Sequence, residues 1–144
     1  MKFIWYAFYN LIQYTWGALQ NLLGFLLFLK NIKCRHEFYH GSVLTYHEGN
    51  WGGISLGAFI FVSGKRDGEW AKAATVHEYG HTIQSLLLGP LYLLAVGVPS
   101  FTWCNCKKCI AYRKENDKSY YDLYCESWAN RLGERFTHEK APQK

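Results

Sequence analysis

Val76-His77-Glu78-Tyr79-Gly80-His81-Thr82-Ile83-Gln84 decides how the rest of the chain is read, because it contains His-Glu-x-x-His. On an α-helix, residues four apart share one face. His77 and His81 can therefore aim imidazole nitrogens at a single ion, with Glu78 one step round and within reach of a water on that ion. Two neutral imidazoles and a nearby carboxylate base are what a hydrolytic zinc site requires. The preceding run Trp70 to Val76 is helix-compatible, and no proline intervenes before Pro90. Gly80 is the one poor helix former, costing roughly 1 kcal/mol relative to alanine. Its missing side chain gives another backbone room to approach.

A catalytic zinc usually takes three protein ligands and leaves a position for water. The run Tyr124-Cys125-Glu126-Ser127-Trp128-Ala129-Asn130-Arg131-Leu132-Gly133 reads as a second helix. It offers Glu126, and Asp122 one turn earlier is the rival. His77-Glu78-x-x-His81 followed by Glu126-x-x-Ala129-Asn130 resembles the gluzincin metallopeptidases, closest to the membrane-bound type whose second helix reads Glu-x-x-Ala-Asp. The resemblance covers these two helices and implies Glu126 as third ligand. Asn130 stands where the family pattern has aspartate; an amide can accept a hydrogen bond from a ligand histidine but raises its basicity less. The expected chemistry is hydrolysis of a peptide or protein substrate. Zn²⁺ sits on His77, His81 and Glu126, and Glu78 moves the proton from water to the leaving amine. Tyr120, Tyr121 and Tyr124 are three candidate donors to an oxyanion.

The 144 residues, with a net charge of +5, allow one domain. Hydrophobic residues make up 49 % of the chain, yet the mean hydropathy of −0.18 excludes a polytopic membrane bundle, so the apolar residues are concentrated. From Phe3 to Leu29 there is no charged side chain. That length spans a hydrocarbon core of roughly 30 Å as a helix. Trp5, Tyr6, Phe8 and Tyr9 cluster at one end and Lys30, Lys33 and Arg35 close the other, as membrane anchors do. Asn10, Gln13, Gly17, Gln20 and Gly24 recur at three- and four-residue steps, a polar and small stripe suited to packing on another helix or on a second copy of the chain.

Beyond the basic flank, Ser42 to Glu48 and Ile54 to Val62 read as two strands of a β-hairpin around Gly49-Asn50-Trp51-Gly52-Gly53. His47 is read as a surface or strand histidine, because Trp51 stands where a second ligand would be. A zincin uses this order, and its edge strand can hold an extended peptide by main-chain pairing. A second apolar segment, Leu86 to Trp103, is broken by Gly89-Pro90 and Pro99 and is read as re-entrant or interfacial, which keeps His81 and Glu126 on one side. Cys106 and Cys109, with Cys104, have part of a zinc-knuckle pattern but lack a fourth ligand; reduced or acylated thiols are the simpler reading. The polar tail beyond Phe136 is expected to fray.

The expected architecture is therefore α+β. A membrane helix over residues 1–30 precedes a minimal zincin-like domain over 31–144: a β-hairpin, the His-Glu-x-x-His helix, the second ligand helix and the apolar segment 86–103. The expected location is integral to a membrane, with membrane lipid as a partner and the catalytic part on the cytoplasmic face by the positive-inside tendency. The basic residues form no helix face or motif for nucleic acid. Alternatives to an enzyme are a non-catalytic metal-binding membrane protein and a subunit of a larger membrane assembly.

Overall fold

A computed structural model describes residues 2–143. Two helices, α1 (Lys2–Thr15) and α2 (Ala18–Lys30), lead into strands β1 (Arg35–Tyr39), β2 (Ser42–His47), β3 (Gly53–Leu56) and β4 (Phe59–Ser63). The long helix α3 (Gly68–Leu88) follows, with Asp67 as its N-cap accepting from the Trp70 amide at 2.8 Å. The apolar segment then winds as a short 3₁₀ turn (Gly89–Leu91), a π-type turn (Leu93–Gly97) and α4 (Val98–Asn105). Helix α5 (Lys107–Glu115), a 3₁₀ turn (Tyr120–Asp122) and α6 (Tyr124–Thr137) complete the order.

The charge-free N-terminus is not a membrane-spanning helix. The helix breaks at Trp16-Gly17, and no helix among the described residues is long and apolar enough to cross a membrane. The expected transmembrane helix over 1–30 is thus corrected. With it go the integral-membrane location and the assignment of the site to the cytoplasmic face. The break has a physical cause. The Asn21 side-chain amide takes the carbonyl of Gln13, a group that an uninterrupted helix would bond internally, and adds a second bond to the Gly17 carbonyl (3.0 Å), which also accepts from the Asn21 backbone amide. The other stripe residues then find partners in the protein itself. Gln13 Nε2 donates to the Thr82 carbonyl (2.8 Å), Gln20 Nε2 to Ser85 Oγ (3.0 Å) and the Gly89 carbonyl (2.9 Å), and Asn10 Nδ2 to the Gly41 carbonyl (3.1 Å). The stripe packs on α3 and the sheet of its own chain.

The expected hairpin is replaced by a four-stranded sheet of order β1-β2-β4-β3. Residues 54–62 are not one strand. Gly57, at φ +62°, turns the chain back so that β3 and β4 are antiparallel, and β4 inserts between β2 and β3, running parallel to β2. Asn21 Oδ1 accepts from the Ala58 amide (3.0 Å) and fastens this turn to α2. Strand β1 joins β2 through His40-Gly41, both at positive φ, as a two-residue hairpin turn demands. Between sheet and α3 lies the core of Leu44, Ile60, Val62, Ala74, Tyr79 and Ile83.

Two glycines fix how α3 meets α6. A Cβ on Gly80 would stand 1.9 Å from the Ala129 carbonyl oxygen, and one on Gly133 would stand 2.1 Å from that of Val76. The helices touch backbone to backbone because neither position carries a side chain. The tail does not fray. Ala141 is buried, its amide donates to Glu134 Oε1 (3.1 Å), and the Pro142 carbonyl accepts from Asn130 Nδ2 (3.0 Å).

Gly80→Ala should lower stability by about 1–3 kcal/mol or more through this clash. Gly68→Ala, at a helix start with nothing within 4 Å, should be neutral or slightly stabilising. Thermal melts of the two variants check this; equal melting temperatures would contradict the packing account.

Candidate metal centre

His77 and His81 lie on the face of α3 turned toward α6, and both are buried. Opposite them, α6 supplies Glu126, with no solvent exposure. His77 Nε2 stands 3.0 Å and His81 Nε2 3.3 Å from the same oxygen, Glu126 Oε2. One ligand atom from each residue falls within 4.8 Å of the others, so this buried group could hold a metal ion. Among the described residues it is the one such group of three or more.

The outer ring nitrogens are fixed as well. His77 Nδ1–H donates to Asn130 Oδ1 (2.6 Å), and His81 Nδ1–H donates to Gln84 Oε1 (2.6 Å). Each amide is itself oriented, because Asn130 Nδ2 donates to the Pro142 carbonyl and Gln84 Nε2 to the Cys125 carbonyl (2.8 Å). With the proton held on Nδ1, the lone pair of a neutral ring points inward from Nε2 toward the ligand position. Asn130 thus orients the His77 ring through a neutral amide, with no charge of its own. Gln84 was not singled out from sequence; its signal is its place three residues after His81 on the same helix.

The charges of the trio depend on one another. Burial works against a charged His81, but hydrogen bonding and charge from Glu126 outweigh it and raise the imidazole to about 9. Burial would raise the Glu126 carboxyl, yet hydrogen bonds from His77 and His81 hold it well below the usual carboxylate range. The metal-free site is an ion pair at neutral pH, built from a divalent metal's donor set. A metal ion held here would take the place of the His81 proton, with the anionic Glu126 offsetting its charge.

Glu78 leaves α3 in a different direction. It is buried, its carboxyl lies against Gly53 of β3, where an added Cβ would come within 2.6 Å of Oε1, and it lines a cavity of about 370 Å³ together with His81. Burial raises its pKa, an effect the neighbouring histidines oppose. Tyr120 lines the same cavity, its hydroxyl 3.2 Å from Ser100 Oγ. The Tyr121 ring packs 5.1 Å from that of His77, whereas the exposed Tyr124 hydroxyl bonds the Ala95 carbonyl. Burial pushes the phenols of Tyr120 and Tyr121 upward, that of Tyr121 to about 12, so both remain donors at neutral pH.

The remaining candidates fall elsewhere. Asp122 Oδ2 accepts from the Ser119 amide (2.8 Å) in a capping box, away from the trio. Cys104, Cys106 and Cys109 do not join any metal-binding group among the described residues. His47 closes β2 as a buried strand residue, bonded to the Gly52 carbonyl and stacked on Trp51. Compared with protein-family models, with curated proteins and with solved structures, the chain matches none.

Two pH effects follow. In chelator, His81 adds stability in full below its ordinary 6.5 and loses it as pH rises through about 9. Glu126 adds stability above its ordinary 4.5 and loses it as pH falls through its depressed value. The melting temperature should therefore peak between 4.5 and 6.5 and decline on both sides; a flat profile would contradict the pairing. Uptake of a divalent metal ion at neutral pH should release about one proton per ion, measured calorimetrically in buffers of different ionisation enthalpy.

Proposed function

We propose that the chain is a zinc-dependent metallopeptidase of gluzincin type, with His77, His81 and Glu126 as ligands and Glu78 as general base. The observation that carries the reading is the position of Glu78. A purely structural metal site has no use for a carboxylate beside its open position. Here that carboxylate lies next to His81 but outside the ligand set, on the wall of a cavity large enough for side chains.

Zinc, when bound, would supply Lewis acidity toward water and toward a peptide carbonyl. The chain's own residues do the rest. Glu78, its pKa raised by burial toward that of an effective base, takes the proton of the attacking water and returns it to the leaving amine. Strand β3 is one of the two sheet edges, and its residues Gly53 to Leu56 line the cavity, so an extended peptide can pair with it beside Glu78. Ser55 is buried on this wall beside Glu78 and Tyr92, and its hydroxyl favours the charged carboxylate of Glu78. Tyr120 is the best placed of the three tyrosines to face a developing oxyanion. Leu27, Tyr92, Leu93, Val96 and Phe101 make the far wall apolar, favouring peptides with a bulky apolar side chain at the scissile bond.

Glu78→Gln should keep its zinc and lose hydrolysis of an apolar peptide library by at least about 10²-fold. Glu126→Ala should bind zinc more weakly. A Glu78→Gln protein that cleaves as fast as the wild type would overturn the catalytic role. A wild type that binds zinc and cleaves nothing would favour a non-catalytic metal protein.

A further inference from the structure

Two stretches of this chain carry no Asp, Glu, Lys or Arg: residues 3–29 and residues 79–106. In the first, the usual distribution of side chains is inverted: Gln13, Gln20 and Asn21 are buried and bonded to one another, to Ser85 or to backbone, while leucines and phenylalanines of the same helices face outward. In the second, the segment beyond Gly89 buries Tyr92 and Val96 and turns Leu91, Leu94 and Phe101 outward. Leu22 is 55 % exposed, Leu26 54 %, Leu94 71 % and Phe101 68 %. Exposed apolar surface on one contiguous region marks an interaction site.

The two stretches adjoin. Trp16 packs over Gly89, where an added Cβ would stand 2.1 Å from the indole nitrogen, and Leu27 shares the cavity wall with Leu93 and Phe101. They also end at the same margin. Leu27 and Asn105 line one cavity, and just beyond them stand Lys30 and Lys33 on one stretch and Lys107 and Lys108 on the other, all exposed.

The chemistry of this face selects its occupant. Protein interfaces are only a little more than half apolar and carry roughly one hydrogen bond per 100–200 Å². Here the polar groups have been turned inward, so the outward face offers almost nothing for a protein partner to bond. Hydrocarbon makes no such demand, and anionic headgroups complement the lysine margin. At 14 and 13 residues, α1 and α2 are each roughly 20 Å long, too short to cross a core of about 30 Å.

We infer that this face docks into one leaflet of an anionic lipid bilayer, with α1, α2 and the 89–105 segment lying in the interface and Lys30, Lys33, Lys107 and Lys108 at headgroup level. The chain does not cross. Because Leu27, Leu93 and Phe101 belong to both the face and the cavity wall, the cavity mouth is brought to the lipid surface. The inference stands on the surface alone and does not depend on the peptidase chemistry.

The test is flotation of the full chain with phosphatidylcholine vesicles, with and without phosphatidylglycerol. The wild type should float, and more fully with phosphatidylglycerol at low salt. Leu22→Glu combined with Leu94→Glu should lower partitioning at least about tenfold while zinc uptake, a readout of the fold, is unchanged. Lys107→Glu combined with Lys108→Glu should remove the phosphatidylglycerol preference and provides an independent arm if the leucine variant misfolds. Tags at the two ends should both be cut by protease added outside the vesicles. Three outcomes would overturn the inference: equal flotation of wild type and leucine variant, protection of one tag, or a non-floating chain of dimer mass that the leucine substitutions convert to monomer. The last would make the face an interface between copies.

Discussion

The backbone contact between α3 and α6 is the constraint on which the rest depends. Gly80 meets Ala129 and Gly133 meets Val76 at separations that leave no room for a Cβ. At this separation Glu126 brings one oxygen to 3.0 and 3.3 Å from the two histidines on the facing helix. The same contact sets Asn130 against His77 and the Cys125 carbonyl against Gln84, so the groups that orient the imidazoles come with the ligands. A glycine that weakens α3 by its own propensity is what allows the site to assemble.

Around that contact the chain is layered by polarity in an unusual sense. The sheet covers one side of α3 with an apolar core, and α1 and α2 cover another with buried amides. Each amide donates a hydrogen bond to a carbonyl or hydroxyl of the chain, for a net gain of about 1 kcal/mol per bond. The larger consequence is directional. Amides turned toward α3 leave the opposite faces of α1 and α2 to leucine and phenylalanine, so the interior solution dictates the exterior surface.

How much of this is written in the sequence depends on how local the signal is. The histidine pair is legible because a four-residue step is a property of one helix, and Glu126 because a resemblance supplied a second helix that spacing alone could not connect to the first. The polar stripe over Asn10 to Gly24 correctly announces a packed face, but the partners of Gln13 and Gln20 lie 69 and 65 residues away. Without them the charge-free run reads as one long span, and the break at Gly17, closed by the Asn21 side chain, is invisible. Strands β3 and β4 merge into one apolar run for a similar reason: Gly57 could sit within a strand, and its positive φ becomes evident only once Asn21 fastens the turn. Strand β1, rich in charge and aromatics, has no alternating pattern and is recruited by pairing with β2. The tail holds no signal at all until its Pro142 carbonyl is seen to steady Asn130.

Metal analysis of the purified chain decides whether His77, His81 and Glu126 act together as one metal site. Wild type and His81→Ala, handled identically and equilibrated with zinc before removal of excess, should differ by the whole complement. The wild type should retain about one equivalent and the variant none. Zinc retained in the variant would place the ion elsewhere, and zinc absent from both would leave the trio as a buried ion pair with no metal to hold.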